Sequence, residues 1–310
     1  MLNSLNIAIT GAGGFLGTSL VEKLSLSGQA SAIHALYSKE VATKYPLAKK
    51  VVGNLEDRSV VADLLDGVDI VIHLASRGYP LDTTKNYQSI NETNLEATKA
   101  IIEVMQKRKI KKILFASSGG AIYSKSDSNV PYNELSTIEL RSAYAENKKA
   151  IENLLLNGTG IEPFILRISN PFGVHQLTHQ GQGFIAAAFR KLLEKRALPI
   201  WGSLDTCKDF LYIDDMLVAF LMLLEKNIEP GIYNVGSGVG HTLKSVIETI
   251  EKVTGQKLNL LYESGKKEDS SWTVLDCSKF RRASGWACTY SLEDGIGQMW
   301  QKILQQSYLK

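Results

Sequence analysis

Short apolar segments alternate with longer helical patterns along the first half of this 310-residue chain. "NIAIT" is followed by a helical pattern over Phe15–Ser27, and "VDIVIHLA" and "KKILFASS" begin later repeats of the same alternation. Strands separated by helices need crossover connections, which produce a parallel sheet covered by helices on both faces. The sequence therefore predicts an α/β fold with a doubly wound parallel sheet.

The alternation becomes less regular after Pro171. A segment rich in glycine and glutamine is followed by the helical pattern "FIAAAFRKLLEKR", and the strand-like segments "KDFLYI" and "GIYNVGSG" come later. This order predicts a smaller C-terminal lobe that is partly interleaved with the first domain.

Composition excludes several classes of protein. Hydrophobic residues make up 44% of the chain and charged residues 22%, which is typical of a folded globular protein. The net charge of +3 comes from 35 basic and 32 acidic residues spread along the chain, so no nucleic-acid partner is predicted. Three cysteines, no long apolar run and a strand pattern that starts at Asn6 predict a cytoplasmic protein without a membrane segment.

Closely spaced glycines follow the first predicted strand. Gly11 would allow a tight turn, Gly14 would let the backbone approach a pyrophosphate, and Gly17 would let the next helix pack on the strand. Phe15 and Leu16 begin that helix, whose N-terminus would face the same anion. The segment predicts a dinucleotide-binding turn, with an ordinary strand-to-helix turn as the alternative.

The end of the second predicted strand leaves the choice of dinucleotide open. An acidic residue about 20 positions after the glycines usually binds the ribose hydroxyls of NAD. The chain has Tyr37, Ser38 and Lys39 there, so this segment does not choose between NAD and NADP, and Ser38 with Lys39 would also suit a 2′-phosphate. NAD is the predicted cofactor, and NADP is not excluded. Asn54 and Leu55 follow the third strand and would border the adenine, although Asn54 would also suit a turn.

Tyr144 and Lys148 lie four residues apart in a helical pattern, so both can reach the same bound group. A tyrosine with an ordinary pKa near ~10 is a poor base at neutral pH. A nearby ammonium group, together with the positive nicotinamide of an oxidised cofactor, would lower that pKa by favouring the phenolate. The pair predicts an acid–base centre, with two helix-surface residues as the alternative.

Several motifs occur in one order along the chain. They are the glycine turn, "HLA" at 73–75, Asn94 at the start of the helical pattern Thr93–Gln106, "SSGGAIY", "YAENK", "RISNPFG", "KDFLYIDD" and "GIYNVGSG". Together they resemble the extended short-chain dehydrogenase/reductase family, and within it the nucleotide-sugar epimerases of the UDP-glucose 4-epimerase type. The resemblance extends over nearly the whole chain and implies a Rossmann-type fold.

The resemblance also implies roles for individual residues. Tyr144 would be the catalytic acid/base, Lys148 would bind the nicotinamide ribose, and Ser118 would be the catalytic hydroxyl. Other residues would contact the cofactor or the sugar: Leu74, Ala75, Asn94 and Ser117 the cofactor, and Asn170, with Ser118 and Tyr144, the nucleotide-sugar substrate. The implied domains are a dinucleotide-binding domain at 1–174 and 209–237 and a substrate-binding lobe at 175–208 and 238–310. A homodimer is also implied.

Departures from the family pattern bear on the reaction. Ser118 lies one residue before the position usual for the catalytic hydroxyl, which Gly119 occupies, and Lys208 replaces a frequent arginine. Gly120 and Ala121 stand where sugar dehydratases of this family have an acid pair, so dehydration is disfavoured. The predicted function is C4 epimerisation of a nucleotide sugar through a keto intermediate. An NADPH-dependent reductase and a non-catalytic dinucleotide-binding regulator are the alternatives.

One possible metal motif is rejected. His175 and His179 are four residues apart, but their surroundings do not predict a helix and no third ligand is evident. No metal is predicted.

Overall fold

A computed structural model describes residues 5–28, 30–78, 87–124, 129–157, 160–179, 183–263 and 272–305. The backbone divides into two compact units. The first comprises Met1–Ile122, Leu140–Arg167 and Phe220–Tyr233, and the second comprises Tyr123–Glu139, Ile168–Ala219 and Asn234–Lys310. These units are geometric, and the functional division into a cofactor domain and a substrate lobe stays a prediction.

Strands and helices alternate in the described part of the chain. The strands are β1 (Asn6–Thr10), β2 (Ala32–Tyr37), β3 (Lys49–Val52), β4 (Ile70–His73), β5 (Lys112–Ser118), β6 (Glu162–Ile168), β7 (Asn170–Phe172), β8 (Leu198–Trp201), β9 (Cys207–Tyr212), β10 (Gly231–Val235), β11 (Gly240–Thr242), β12 (Leu260–Glu263) and β13 (Trp272–Thr273). The helices are α1 (Phe15–Ser27), α2 (Arg58–Leu64), α3 (Tyr87–Arg108), α4 (Gly119–Ile122), α5 (Ala143–Leu156), α6 (Phe184–Leu193), α7 (Ile213–Glu225), α8 (Leu243–Thr254), α9 (Ser278–Ser284) and α10 (Leu292–Gln305).

The central sheet has seven strands in the order β10-β6-β5-β4-β1-β2-β3. β1 pairs in parallel with β2 and with β4, and Ile9 is opposite Ala35 on one side and Ile72 on the other. The chain thus adds strands on one side of β1 and later on the other side. Ligands of such sheets bind at the carboxyl ends of the strands beside this reversal. The predicted Rossmann-type α/β fold is confirmed.

The strands of the central sheet are apolar along their length, and helices of the first unit cover them and shield them from water. Ile7, Ala8 and Ile9 of β1 have no exposed surface. On one side of the sheet, α2, α3 and α5 contribute to a cluster of buried aliphatic side chains that includes Val61, Ile101 and Ile151.

Helix α3 begins at Tyr87, six residues before the predicted start. The prediction was wrong because the first turns are exposed or only partly buried: the buried residues of α3 begin only at Asn94 and Ala97. Asn94 therefore lies inside the helix and does not precede or cap it.

The second unit contains smaller sheets. β9 lies between β11 and β13 and also pairs with β7, while β12 pairs with β8. Residues Val174–Thr178 form a short 3₁₀ helix where the sequence predicted a loop. In the described ranges, no helix is both long enough and apolar enough to cross a membrane.

Candidate active site

The glycine turn connects β1 to α1 and packs against the chain that follows β4. Gly11 has a φ of 70°, and a Cβ atom there would lie 2.7 Å from the main-chain nitrogen of Ala75. A Cβ atom at Gly17 would lie 2.1 Å from the carbonyl oxygen of Gly11. Both positions need glycine because the segment between β1 and α1 lies in close contact with the chain after β4 and with the first turn of α1.

Gly14 differs from these two glycines because its side-chain direction is open. It has a φ of −80° and a ψ of 173°, which any residue adopts. The carbonyl oxygen of Gly11, at 3.3 Å, is the nearest heavy atom that an added Cβ would meet, and no other lies within 4 Å. No side chain caps α1, so the N–H groups of its first turn face this space without a side-chain partner. The space and donors fit a dinucleotide pyrophosphate.

The neighbouring residues that were predicted to contact the cofactor differ in exposure. Phe15 is buried and Leu16 is partly buried, so their backbone N–H groups, and not their side chains, are available to a cofactor at the start of α1. Ser38 is exposed just beyond β2. Asn54 is exposed, its side-chain oxygen accepts from Arg77 at 3.4 Å, and its carbonyl accepts from Asp57 at 3.2 Å. Leu55 packs partly against the aliphatic core. Their cofactor contacts stay predictions.

A buried histidine at the end of β4 links the sheet to α3. The N–H of Ala75 donates to Thr10 Oγ1 at 3.2 Å, and Thr10 Oγ1 is 2.8 Å from His73 Nδ1. On the other side, His73 Nε2 is 3.2 Å from Thr98 Oγ1, which donates its proton to the carbonyl of Asn94 at 2.8 Å. Thr98 Oγ1 must therefore accept from Nε2–H, and Nδ1 accepts from Thr10. Burial lowers the pKa of His73 to about 3, with a further lowering from Lys148, so His73 is neutral.

Asn94 holds the chain that follows β4. Its side-chain oxygen accepts from the N–H of Arg77 at 2.9 Å, and its amide group donates to the carbonyl of Arg77 at 3.0 Å. The same amide group donates to Asn147 Oδ1 at 3.0 Å. Asn94 therefore connects the segment after Leu74 and Ala75 to α5.

The predicted catalytic side chains Ser118, Tyr144 and Lys148 lie together. Ser118 ends β5, and its hydroxyl makes a hydrogen bond with the Tyr144 hydroxyl. α5 begins just before Tyr144 because the Ser142 side chain accepts from the N–H of Ala145 at 3.1 Å. Lys148 Nζ lies 5.6 Å from the centre of the Tyr144 ring and donates to the carbonyl of Ala116 at 2.9 Å. The serine, tyrosine and lysine thus form one cluster.

Burial is the main influence on the pKa values of this cluster. Desolvation raises the pKa of Tyr144 to about 12, and the hydrogen bond from Ser118 opposes that rise. Desolvation lowers the pKa of Lys148 to about 8, and the charge of Glu152 opposes that fall. The sequence argument predicted a lowered tyrosine pKa. Within the protein itself that prediction is wrong, because desolvation raises the pKa of Tyr144 by more than the hydrogen bond from Ser118 lowers it.

Ser117, predicted to face the cofactor, directs its side chain elsewhere. It is buried, and its hydroxyl donates to Glu152 Oε1 at 2.6 Å. Arg167 binds the same carboxylate through Nε at 3.0 Å and Nη2 at 2.7 Å. A cofactor contact by Ser117 is therefore left to its main chain.

The second unit contains the remaining residues named from the sequence. Asn170 donates to the carbonyl of Asp209 at 2.9 Å, and Lys208 is nearly buried in β9. His175 and His179 lie in and just after the 3₁₀ helix, where His179 Nδ1 is 3.0 Å from the carbonyl of His175. Among the described residues, no group of three or more His, Cys, Asp or Glu side chains is arranged to hold a metal ion.

Sequence reasoning missed several buried polar residues. The motifs "YAENK" and "RISNPFG" contain Asn147 and Arg167, but neither residue was assigned a role, and Glu152 was not singled out. Glu152 follows Lys148 by four residues and therefore shares its helix face, a spacing that would have brought it to attention. Asp209 is fully buried and accepts from Ser237, Gly238 and Leu275 of distant segments, which no local pattern signals.

An open space at the N-terminus of α1 and a Ser–Tyr–Lys cluster in one parallel α/β unit are typical of dinucleotide-dependent oxidoreductases and epimerases. The model of the NAD dependent epimerase/dehydratase family matches residues 7–236. The chain belongs to this family, and it is an NAD-dependent enzyme of the extended short-chain dehydrogenase/reductase type.

Individual relatives align with nearly the whole chain. The chain is 29% identical over 313 residues to the dTDP-4-dehydro-6-deoxyglucose reductase of Escherichia coli, and the alignment covers 96% of this chain and 97% of the relative. It is also 29% identical over 305 residues to a putative UDP-glucose 4-epimerase of Methanocaldococcus jannaschii, covering 96% and 98%.

Solved structures show the same fold. The UDP-glucose 4-epimerase of Thermotoga maritima with UDP-glucose has a TM-score of 0.88 at 24% identity, covering 97% of this chain and 99% of that one. The UDP-glucose 4-epimerase of Thermus thermophilus in complex with NAD has a TM-score of 0.88 at 24% identity, covering 98% and 100%.

Proposed function

We propose that this protein is a nucleotide-sugar 4-epimerase that oxidises the C4 hydroxyl to a ketone and then reduces it from the other face. The observation that carries the proposal is the cluster of Ser118, Tyr144 and Lys148 at the carboxyl end of β5. Both the epimerase of M. jannaschii and the solved epimerases support this substrate class.

In this proposal each group has a separate task. Tyr144 takes the proton from the C4 hydroxyl and returns it after the ketone has turned over. Ser118 orients the phenol through their shared hydrogen bond. Lys148 supplies a positive charge beside the Tyr144 ring, which favours the phenolate. NAD would supply a reversible hydride acceptor, held by the turn at Gly11, Gly14 and Gly17.

The residues after Ser118 support epimerisation over dehydration. Gly119, Gly120 and Ala121 form the start of α4 and carry no acid or base. Elimination of water from a keto sugar needs a second acid–base pair, whereas returning the hydride needs none. Reduction of the ketone is therefore the favoured exit from the intermediate.

The test is incubation with UDP-, dTDP- and GDP-sugars, followed by separation of the products. We expect interconversion of one pair of C4 epimers without net formation of reduced nicotinamide, because the cofactor is regenerated in each cycle. A product that has lost water, or turnover of no sugar in the panel, would contradict the proposal.

A nucleotide-sugar reductase is the second candidate, and the similarity to the E. coli reductase supports it. Ser38 and Lys39 are exposed beyond β2, where an acidic residue would disfavour a 2′-phosphate. The same panel, extended with 4-keto sugars, separates the two functions. A reductase consumes NADPH in proportion to product, whereas an epimerase does not.

The proposal includes the finer expectations from the sequence. Residues 1–174 and 209–237 would bind the cofactor, and 175–208 and 238–310, with Asn170, would contact the sugar. The protein would be a cytoplasmic homodimer without a nucleic-acid or membrane partner. Cys207, Cys277 and Cys288 are free thiols, which suits a reducing compartment.

A further inference from the structure

Glu152 is a fully buried carboxylate beside the catalytic cluster. It accepts hydrogen bonds from Ser117 and from two nitrogens of Arg167, and Lys149 Nζ lies 3.5 Å from its Oε2. A buried carboxylate is costly to desolvate unless such partners keep it ionised. The two guanidinium contacts and the hydroxyl donor therefore compensate for the burial of the Glu152 carboxylate.

The Glu152 carboxylate lies on the same face of α5 as Lys148, and its charge acts on the lysine. Both residues are on α5 one turn apart, and both are buried. Lys148 Nζ binds the carbonyl of Ala116, and the Glu152 carboxylate binds the hydroxyl of Ser117, the next residue of β5. The two charged groups thus approach adjacent residues of one strand.

Among the described residues, the other titratable or charged groups near Lys148 include no second carboxylate. The titratable or charged groups that face it or its neighbour Glu152 are Tyr144 and Lys149 on α5, His73 on β4 and Arg167 on β6. His73 is neutral and Tyr144 is protonated at neutral pH, while Lys149 and Arg167 are basic residues that contact the Glu152 carboxylate. Among these groups, Glu152 alone favours the charged form of the buried lysine.

We propose that Glu152 is a positioning residue that keeps Lys148 protonated, and that turnover depends on it through the lysine charge. This inference rests on the proposed roles of Tyr144 and Lys148. Without the carboxylate, burial would deprotonate Lys148 at a lower pH. Neutral Lys148 no longer favours the Tyr144 phenolate, so the acid–base step slows at neutral and alkaline pH.

The experiment measures the protonation midpoint of the Lys148 side chain directly. Isotope-labelled lysine side chains are titrated by NMR in the full chain without sugar, and the Lys148 signal is assigned by its loss in Lys148→Met. In Glu152→Gln we expect the Lys148 midpoint to fall by about one pH unit. Glu146→Gln is the control, because it removes the same charge from an exposed position on the same helix and should leave the midpoint unchanged.

A second variant is used if the first one does not fold. If Glu152→Gln leaves the buried Arg167 unpaired and does not fold, Glu152→Leu combined with Arg167→Met replaces the ion pair with apolar groups. The midpoint should also fall in this variant. A midpoint equal to that of the wild type in the variant that folds overturns the proposal.

Turnover completes the test. The alkaline limb of the kcat profile should move to lower pH by the same amount as the NMR midpoint. A shifted midpoint with an unshifted limb would show that the lysine charge is not used, which also overturns the proposal. The NMR arm needs no sugar, so failure of the epimerase assay leaves its result interpretable.

Discussion

At the scale of single residues, the Tyr144 hydroxyl is the group on which the proposed chemistry depends. Tyr144→Phe removes the acid–base group and its hydrogen bond with Ser118 but keeps the ring beside Lys148. We expect turnover to fall by about 10²-fold or more, with NAD binding and thermal stability nearly unchanged. Steady-state kinetics and thermal melts measure these effects.

The matched control for this variant is Tyr45→Phe. Tyr45 also donates its hydroxyl to an acceptor, Glu22, but lies outside the candidate site. It should retain wild-type turnover. Full activity of Tyr144→Phe would return Tyr144 and Lys148 to the role of ordinary helix residues.

At the scale of secondary-structure elements, the glycine turn and α1 form one unit, and Gly14 faces its open side. Gly14→Val introduces a side chain at a φ of −80°, which valine adopts, and its Cβ makes a tight contact of 3.3 Å with the carbonyl oxygen of Gly11. The rest of the side chain enters the predicted pyrophosphate space. We expect NAD affinity to fall by about tenfold or more, the equivalent of roughly 1.4 kcal/mol. Isothermal titration calorimetry measures the affinity.

Gly297→Val is the control for this element. A Cβ atom at Gly297 meets no heavy atom within 4 Å, and the residue lies in α10. NAD affinity should be unchanged there. Unaltered affinity in Gly14→Val would show that the pyrophosphate does not bind in front of α1.

At the scale of the whole molecule, His73 makes global stability depend on pH. Its folded-state pKa is about 3, against an ordinary value of 6.5, so the unfolded chain takes up a proton first as the pH falls. The contribution of His73 is complete above about pH 6.5 and is lost as the pH falls toward 3, by up to about 1.4 kcal/mol per pH unit. Denaturant unfolding between pH 7 and 4 measures this slope against His73→Gln, which keeps an amide but does not titrate.

The difference between the two proteins isolates the histidine, because carboxylates contribute equally to both. The wild type should lose more stability than His73→Gln as the pH falls. Parallel curves would mean that His73 takes up its proton at the same pH in the folded protein as in the unfolded chain. That result would contradict the directed hydrogen bonds from Thr10 and to Thr98.

Local patterns in the sequence were sufficient for the fold class, the glycine turn and the pairing of Tyr144 with Lys148, whereas Ser118 was named from the family resemblance. Apolar strands and periodic helices report which faces are buried, and glycine spacing reports where the backbone turns sharply. The separation of Tyr144 and Lys148 by one helical turn is likewise a local property. Such features depend on residues close together in the chain, so they can be read without coordinates.

Long-range packing determined the rest. Ser117 faces Glu152 because β6 brings Arg167 to the same carboxylate, and Asn94 is buried within α3 because its amide reaches both Arg77 and Asn147. The pKa of Tyr144 is raised because burial outweighs the groups that surround it. Desolvation and hydrogen bonds between distant segments depend on three-dimensional contacts, which no spacing along the chain encodes.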